Sequence, residues 1–151
     1  MNSFETLIAQ FAEKTSLALT AKQDGSVDLV VDGIDVSVQS RPDRDDCVIF
    51  TLPVDDTEID LATARRALEL AANGEGTEGH YLGVKAGMFV LSAIVPLAGL
   101  SSEDFANRLI TLARASRYVA REIALALAPE GGPGAVPAID SSPPESFFLR
   151  V

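Results

Sequence analysis

The chain has 151 residues, which is enough for one hydrophobic core and too few for two full domains. Its 22 acidic side chains against 12 basic ones give a net charge of -10, which disfavours nucleic acid and anionic membranes as partners. The chain has a single cysteine, and its N-terminus shows no signal-peptide pattern. It also has no apolar stretch long enough to span a bilayer, so we predict a cytoplasmic protein.

The first third of the chain predicts a helix followed by three strands. Apolar residues at spacings of three and four indicate a helix over residues 4–16. Alternating apolar and polar residues then indicate strands over 26–32, 34–39 and 48–52. The Asp32-Gly33 pair between the first two strands is typical of a tight hairpin. We therefore expect an antiparallel meander with one polar face and one apolar face, to which the third strand contributes Val48, Phe50 and Leu52.

Two further helices are indicated in the second half. The first covers residues 61–73, and its apolar stripe consists of Leu61, Ala64, Leu68 and Ala71. The last helix begins after a capping pair, Ser101 and Asp104. Its apolar residues recur every three or four positions as far as Leu127.

Two strands, over residues 80–85 and 88–95, lie between these helices. The second of them is apolar on both faces, with Met88, Val90 and Ile94 on one side and Phe89, Leu91 and Val95 on the other. A strand of this kind must be covered on both faces. In a chain of this size, one cover can be a helix and the other a second subunit.

The order of elements is therefore α-β-β-β-α-β-β-α. It predicts an α+β fold, a two-layer sandwich in which helices pack on a twisted antiparallel sheet, assembled as a homodimer. We assign residues 1–128 to this domain. Residues 129–151 are rich in Gly and Pro and predict a flexible tail that carries Phe147, Phe148 and Leu149 near its end.

Few residues suggest chemistry. The segment Gly74-Glu75-Gly76-Thr77-Glu78-Gly79 matches a dinucleotide fingerprint, but a helix precedes it and a strand follows, so we interpret it as a connector. Cys47 and His80 could form a nucleophile and base, although unrelated strand positions explain them better. The acidic loops at 43–46 and 55–60 lack the spacing of a calcium site. We predict no catalytic residue, no cofactor and no metal.

Several short phrases carry a family resemblance. They are Phe4-x-x-Leu7-Ile8-x-x-Phe11, Asp24-Gly25 before the hairpin, Val48-Ile49-Phe50, Leu68-x-x-Ala71-x-Asn73, Tyr81-Leu82-Gly83 and Leu97-x-x-Leu100-Ser101. Together with the order of elements, these phrases resemble the class I type III secretion chaperones, the Tir-chaperone family. The resemblance covers residues 4–127.

This resemblance implies a homodimer without catalytic activity. Such a chaperone binds the N-proximal segment of a secreted effector in extended form and keeps it soluble and competent for export, with the secretion ATPase as a possible further partner. Main-chain pairing at a sheet edge and apolar grooves are suited to such binding. Our candidate effector-binding residues are Phe4, Leu7, Ile8, Phe11, Val36, Val38 and Phe50. The dimer candidates are Leu68, Phe89 and Leu91.

Three alternatives remain open from the sequence. A similar surface could sequester a transcriptional regulator or an anti-activator, which would make the chain a regulatory adaptor. Cys47 and His80 could instead serve a small enzyme. Finally, the Phe147-Phe148-Leu149 end of the tail could cover a groove of its own domain until a partner displaces it.

Overall fold

The computed structural model describes residues 3–19, 21–54, 59–74 and 76–127. Its elements are α1 (Ser3–Thr15), β1 (Ser26–Val31), β2 (Ile34–Arg41), a 3-10 turn (Pro42–Arg44), β3 (Asp46–Thr51), α2 (Leu61–Asn73), β4 (Tyr81–Lys85), β5 (Met88–Pro96) and α3 (Ser102–Leu127). The predicted order of helices and strands is confirmed. The predicted flexible tail, residues 129–151, lies outside the described residues.

The five described strands form one antiparallel sheet in the order β1-β2-β3-β5-β4. Its two tight hairpins each use a pair of residues with positive φ. Asp32 and Gly33 join β1 to β2, and Ala86 and Gly87 join β4 to β5. Both pairs suit the type I′ turn, whose twist matches that of the strands.

α3 forms the centre of the helical layer, because it packs on β1, β2, β3 and β5 while α1 and α2 pack beside it. The rings of Phe11 and Phe105 meet edge to face between α1 and α3, with centroids 5.3 Å apart. Ser101 starts α3 as predicted, since its hydroxyl accepts the Asp104 N–H at 3.0 Å. The predicted two-layer α+β sandwich is thereby confirmed for the subunit.

β3 faces the opposite way from our prediction. Cys47, Ile49 and Thr51 are buried under the helices, whereas Val48 and Phe50 lie on the outer face of the sheet. The register explains this, because Ile49 stands opposite Val38, whose side chain is in the core. Neighbours directly opposite in a sheet share a face. The outer face is therefore not uniformly polar.

The apolar stripe predicted for α2 lies on the exposed side of the helix. Thr63, Ala67 and Leu70 are its buried residues, while the expected stripe leaves Leu61 and Leu68 exposed. A capping box fixes this rotation. The Asp60 carboxylate accepts the Thr63 N–H at 2.8 Å, and the Thr63 hydroxyl accepts the Asp60 N–H at 3.1 Å. Thr63 is thus satisfied inside the subunit, and the more apolar stripe of α2 faces outward.

Candidate binding surfaces

Six of the seven candidate effector-binding residues lie in the core of the subunit. They are Phe4, Leu7, Ile8, Phe11, Val36 and Val38, each at most 6% exposed. They stabilise the packing of α1 and β2 against α3. In this conformation a bound segment cannot reach their side chains. Only Phe50, which is half-buried on the outer face, is available to a ligand.

The three dimer candidates lie in two different places, the core and the surface. Phe89 and Leu91 point from β5 into the core and are buried. Leu68, in contrast, is 71% exposed on the outer side of α2. The structure therefore brings the two β5 residues together beneath the helices and places Leu68 on a different surface.

Leu68 belongs to an apolar surface on α2 and β4, which we call the α2 face. It contains Leu61 at 77% exposure on α2 and Val84 at 60% exposure on the adjoining β4. Leu61, Leu68 and Val84 are thus three exposed apolar side chains on two elements that pack together. The sequence indicated the α2 part of this face as an apolar stripe and named Leu68 as a dimer candidate. It missed Val84, because the strand 80–85 offered no clear alternation.

A second apolar surface crosses the middle of the outer face of the sheet, and we call it the outer strip. It consists of Val48 and Phe50 on β3 with Val90 and Ile94 on β5. The register places Val48 opposite Ile94. No helix among the described residues packs on this side of the sheet. The Lys85 ammonium lies 5.9 Å from the centre of the Phe50 ring, so the strip has a charged margin.

Ion pairs fix the elements that surround these surfaces. Arg41 donates two hydrogen bonds of 2.6 Å to the Asp46 carboxylate opposite it. These bonds lower the pKa of Asp46. Arg114 on α3 makes the same paired contact with Glu78, again at 2.6 Å, and thereby lowers the pKa of Glu78. These two contacts join β2 to β3 and the connector before β4 to α3.

The candidate cysteine–histidine pair is not arranged for nucleophilic catalysis. Cys47 is fully buried, and burial raises the pKa of its thiol to about 12. A thiol of this kind carries almost no thiolate at neutral pH. His80 instead makes a 2.7 Å contact from Nδ1 to the carbonyl of Thr77. Within the described ranges, no group of His, Cys, Asp and Glu side chains could hold a metal ion.

The family follows from a sequence model that matches most of the chain. The model of the Tir chaperone protein (CesT) family aligns with residues 6–119, which span α1 to the middle of α3. The chain belongs to this family. The predicted resemblance is confirmed, and so is the predicted class of protein, a secretion chaperone.

No curated protein matches the chain in sequence. None of the helices in the described ranges is long and apolar enough to cross a membrane.

Solved structures of the same fold agree with this assignment. The chaperone–effector complex of HopA1 and SchA matches with a TM-score of 0.63 at 17% identity, over 79% of this chain and 94% of that one. The ExsC–ExsE complex matches with a TM-score of 0.65 at 20% identity, over 77% of this chain and 90% of that one. A third match is the Yersinia pestis type III secretion chaperone SycH in complex with a fragment of YscM2. Its TM-score is 0.62 at 15% identity, over 77% of this chain and 98% of that one. At these identities the likeness establishes a common fold.

Proposed function

We propose that the chain is a dimeric type III secretion chaperone that binds an extended, N-proximal segment of a secreted effector and keeps it soluble. Family membership supports this function, and the chaperone–effector complex of HopA1 and SchA contains a chain of the same fold. The observation that carries the proposal is apolar area that the core of the subunit does not use. It occurs on two separate surfaces, the α2 face and the outer strip.

The α2 face is our proposed dimer seam. Leu61, Leu68 and Val84 can each be covered by the same face of a second copy, as in other self-complementary interfaces. Phe89 and Leu91 would act from behind, because they fix β5 and, through it, the adjoining β4. The proposed seam therefore keeps Leu68 from the three dimer candidates of the sequence analysis and adds Leu61 and Val84.

The outer strip is our proposed effector surface. Phe50 and Val48 offer apolar contacts, and the neighbouring polar side chains of β2 can satisfy a bound main chain. The buried candidates on α1 and β2 contribute indirectly, since they hold β2 and the sheet in shape. An extended guest would therefore lie on the sheet, opposite the helical layer.

Co-expression with effector genes tests this proposal. The chaperone should be a dimer by sedimentation and should retain an effector whose N-proximal segment is intact but not one that lacks it. Phe50→Ser should weaken retention at least tenfold, which corresponds to about 1.4 kcal/mol. Ile110→Ser is the control, because Ile110 is an exposed apolar residue on α3 that belongs to neither surface.

Two results would contradict the proposal. One is retention of the effector that is equally strong for Phe50→Ser and for the unaltered chain. The other is a partner that proves to be a transcriptional regulator or an anti-activator, which would favour the regulatory adaptor instead.

A further inference from the structure

One stretch of the β5 edge has no neighbouring strand. β4 begins at Tyr81, which pairs with Ser92, while β5 continues to Pro96. The Leu97 N–H donates to the Asp45 carbonyl at 3.0 Å and so extends the β3–β5 ladder. Peptide groups alternate between the two sides of a strand. The N–H and C=O of Ile94 therefore point away from β3, toward the space beyond the start of β4.

The connector before β4 cannot fill this space, because it is held against α3. Gly76 packs so closely on Tyr118 that a Cβ would lie 2.0 Å from the ring. Glu78 is paired with Arg114, and the His80 N–H donates to the Thr77 carbonyl at 2.8 Å. Among the described residues, none hydrogen-bonds to the peptide group of Ile94 on this side. The open edge is thus a built feature of the fold.

A cleft of about 700 Å³ lies beside this edge, and we call it the β5 notch. It is lined by Ile94, Pro96, Tyr81, Leu100 and Arg108, among others. Arg108 forms no ion pair with any residue that the structure describes. The carboxylates of Glu78 and Asp104 also line the notch, but Glu78 is paired with Arg114 and Asp104 accepts the Ser101 hydroxyl. The notch therefore offers main-chain hydrogen bonds, an apolar wall and, in Arg108, one cation without an ion pair among the described residues. These features suit an extended peptide with a carboxylate close to apolar side chains.

We propose that the chain's own residues 145–149 occupy the β5 notch. Their sequence is Glu-Ser-Phe-Phe-Leu, so that in extended form Glu145, Phe147 and Leu149 share one side. Glu145 then pairs with Arg108, and Phe147 packs against the apolar wall. This segment combines a carboxylate with a run of three large apolar residues that begins two positions later.

The length of the chain permits this contact. Arg108 lies 19 residues before Leu127 on α3, a distance of about 28 Å along the helix axis. The 17 residues from 128 to 144 can span about 56 Å when extended. A tethered segment of this kind has an effective concentration of the order of millimolar, so even a weak contact is occupied. The contact would also close an open strand edge against pairing with other chains.

Amide hydrogen exchange, measured by NMR on the full chain and on a chain that ends at Leu127, tests the proposal. The Ile94 amide should exchange at least tenfold faster in the shortened chain. The Val30 amide is the control, because it points outward from β1, the other edge of the sheet, and should exchange equally in both chains. Equal exchange rates for the Ile94 amide in the two chains would overturn the proposal. Equal rates are also what protection of this amide by a second subunit would give, because that protection does not need the tail.

A charge exchange identifies the partner of Arg108. Arg108→Glu should remove the protection of Ile94, and the double variant with Glu145→Arg should restore it. Arg65→Glu is the matched control, because Arg65 is an exposed arginine on α2 without an ion pair among the described residues. Failure of the double variant to restore protection would overturn the pairing. The proposal goes beyond effector binding, and none of these results depends on an effector.

Discussion

The apolar stripes of α1 and α2 look alike in the sequence and lie in opposite environments. The α1 stripe, from Phe4 to Phe11, is buried against α3. The α2 stripe, represented by Leu61 and Leu68, faces outward. Both follow the three- and four-residue spacing of an amphipathic helix. A helical period therefore shows that a stripe will be covered, but not whether its own subunit or another chain covers it.

The physical difference lies in what fixes each helix. α1 is held by its own stripe, through contacts such as that of Phe11 with Phe105. α2 is held by polar groups, the Asp60–Thr63 capping box at its start and an ion pair between Arg66 and Glu122 of α3. Because these groups set its rotation, Thr63, Ala67 and Leu70 face inward, and the stripe that contains Leu61 and Leu68 remains outside. Substitutions in α1, in α2 and in the connector that follows α2 test this difference.

Phe11→Ala should have the largest effect. Truncation of a buried phenylalanine costs about 3–5 kcal/mol, so we expect the free energy of unfolding in urea to fall by this amount at every protein concentration. Leu17→Ala is the control, because Leu17 is an exposed residue just after α1. A stable Phe11→Ala variant that had lost only effector binding would show that the α1 stripe is a ligand surface after all.

Leu68→Glu should have a smaller effect, and of another kind. The subunit should remain folded, since this side chain faces outward, but the dissociation constant of the dimer should rise at least tenfold, or by about 1.4 kcal/mol. Sedimentation over a range of concentrations measures this change. Ile110→Glu introduces the same charge at an exposed apolar residue of α3 and should leave the dimer intact. Dissociation by both variants would indicate general repulsion rather than a seam on the α2 face.

Acid should remove the small contribution of the Glu78–Arg114 pair. Hydrogen bonds from Arg114 lower the pKa of Glu78 in the folded state. The contribution is therefore complete above the pKa of an unfolded glutamate, near 4.5, and is lost as the pH falls through the lower folded pKa. At pH 7, Glu78→Gln should lower the melting temperature by about 1 °C, as expected for an exposed pair, and the difference should vanish in acid.

Asp35→Asn serves as the control for this pH experiment, because Asp35 is an exposed carboxylate without an ion pair in the described part of the chain. Its melting temperature should follow that of the unaltered protein at each pH. A difference between Glu78→Gln and the unaltered protein that grew toward low pH would contradict the sign of the pKa shift.

The sequence predicted the order of elements, the turn between β1 and β2, and the family, because each depends on local signals. β1 and β2 alternate strictly, so their facing was also evident. β3 contains four consecutive apolar residues, Cys47 to Phe50. A run of this kind does not indicate which of its side chains face the core. Its facing is set by the pairing of Ile49 with Val38, a contact between strands that periodicity cannot supply.

The candidate surfaces were harder to predict for the same reason. α2 contains five alanines, which fit either a buried or an exposed stripe. The signal that decides between them is the Asp60–Thr63 pair, because a capping threonine whose hydroxyl is satisfied can be buried. The β5 notch depends on β4 being shorter than β5, a difference of a few residues that sequence patterns do not resolve.

The position of α3 has a consequence for biosynthesis. This helix covers four of the five strands, and Arg117 near its middle binds Asp32 in the β1–β2 hairpin, 85 residues earlier in the chain. The first strands to leave the ribosome must therefore wait for almost the whole domain before their apolar side is covered. During translation the nascent chain exposes that side, and it is then most open to aggregation.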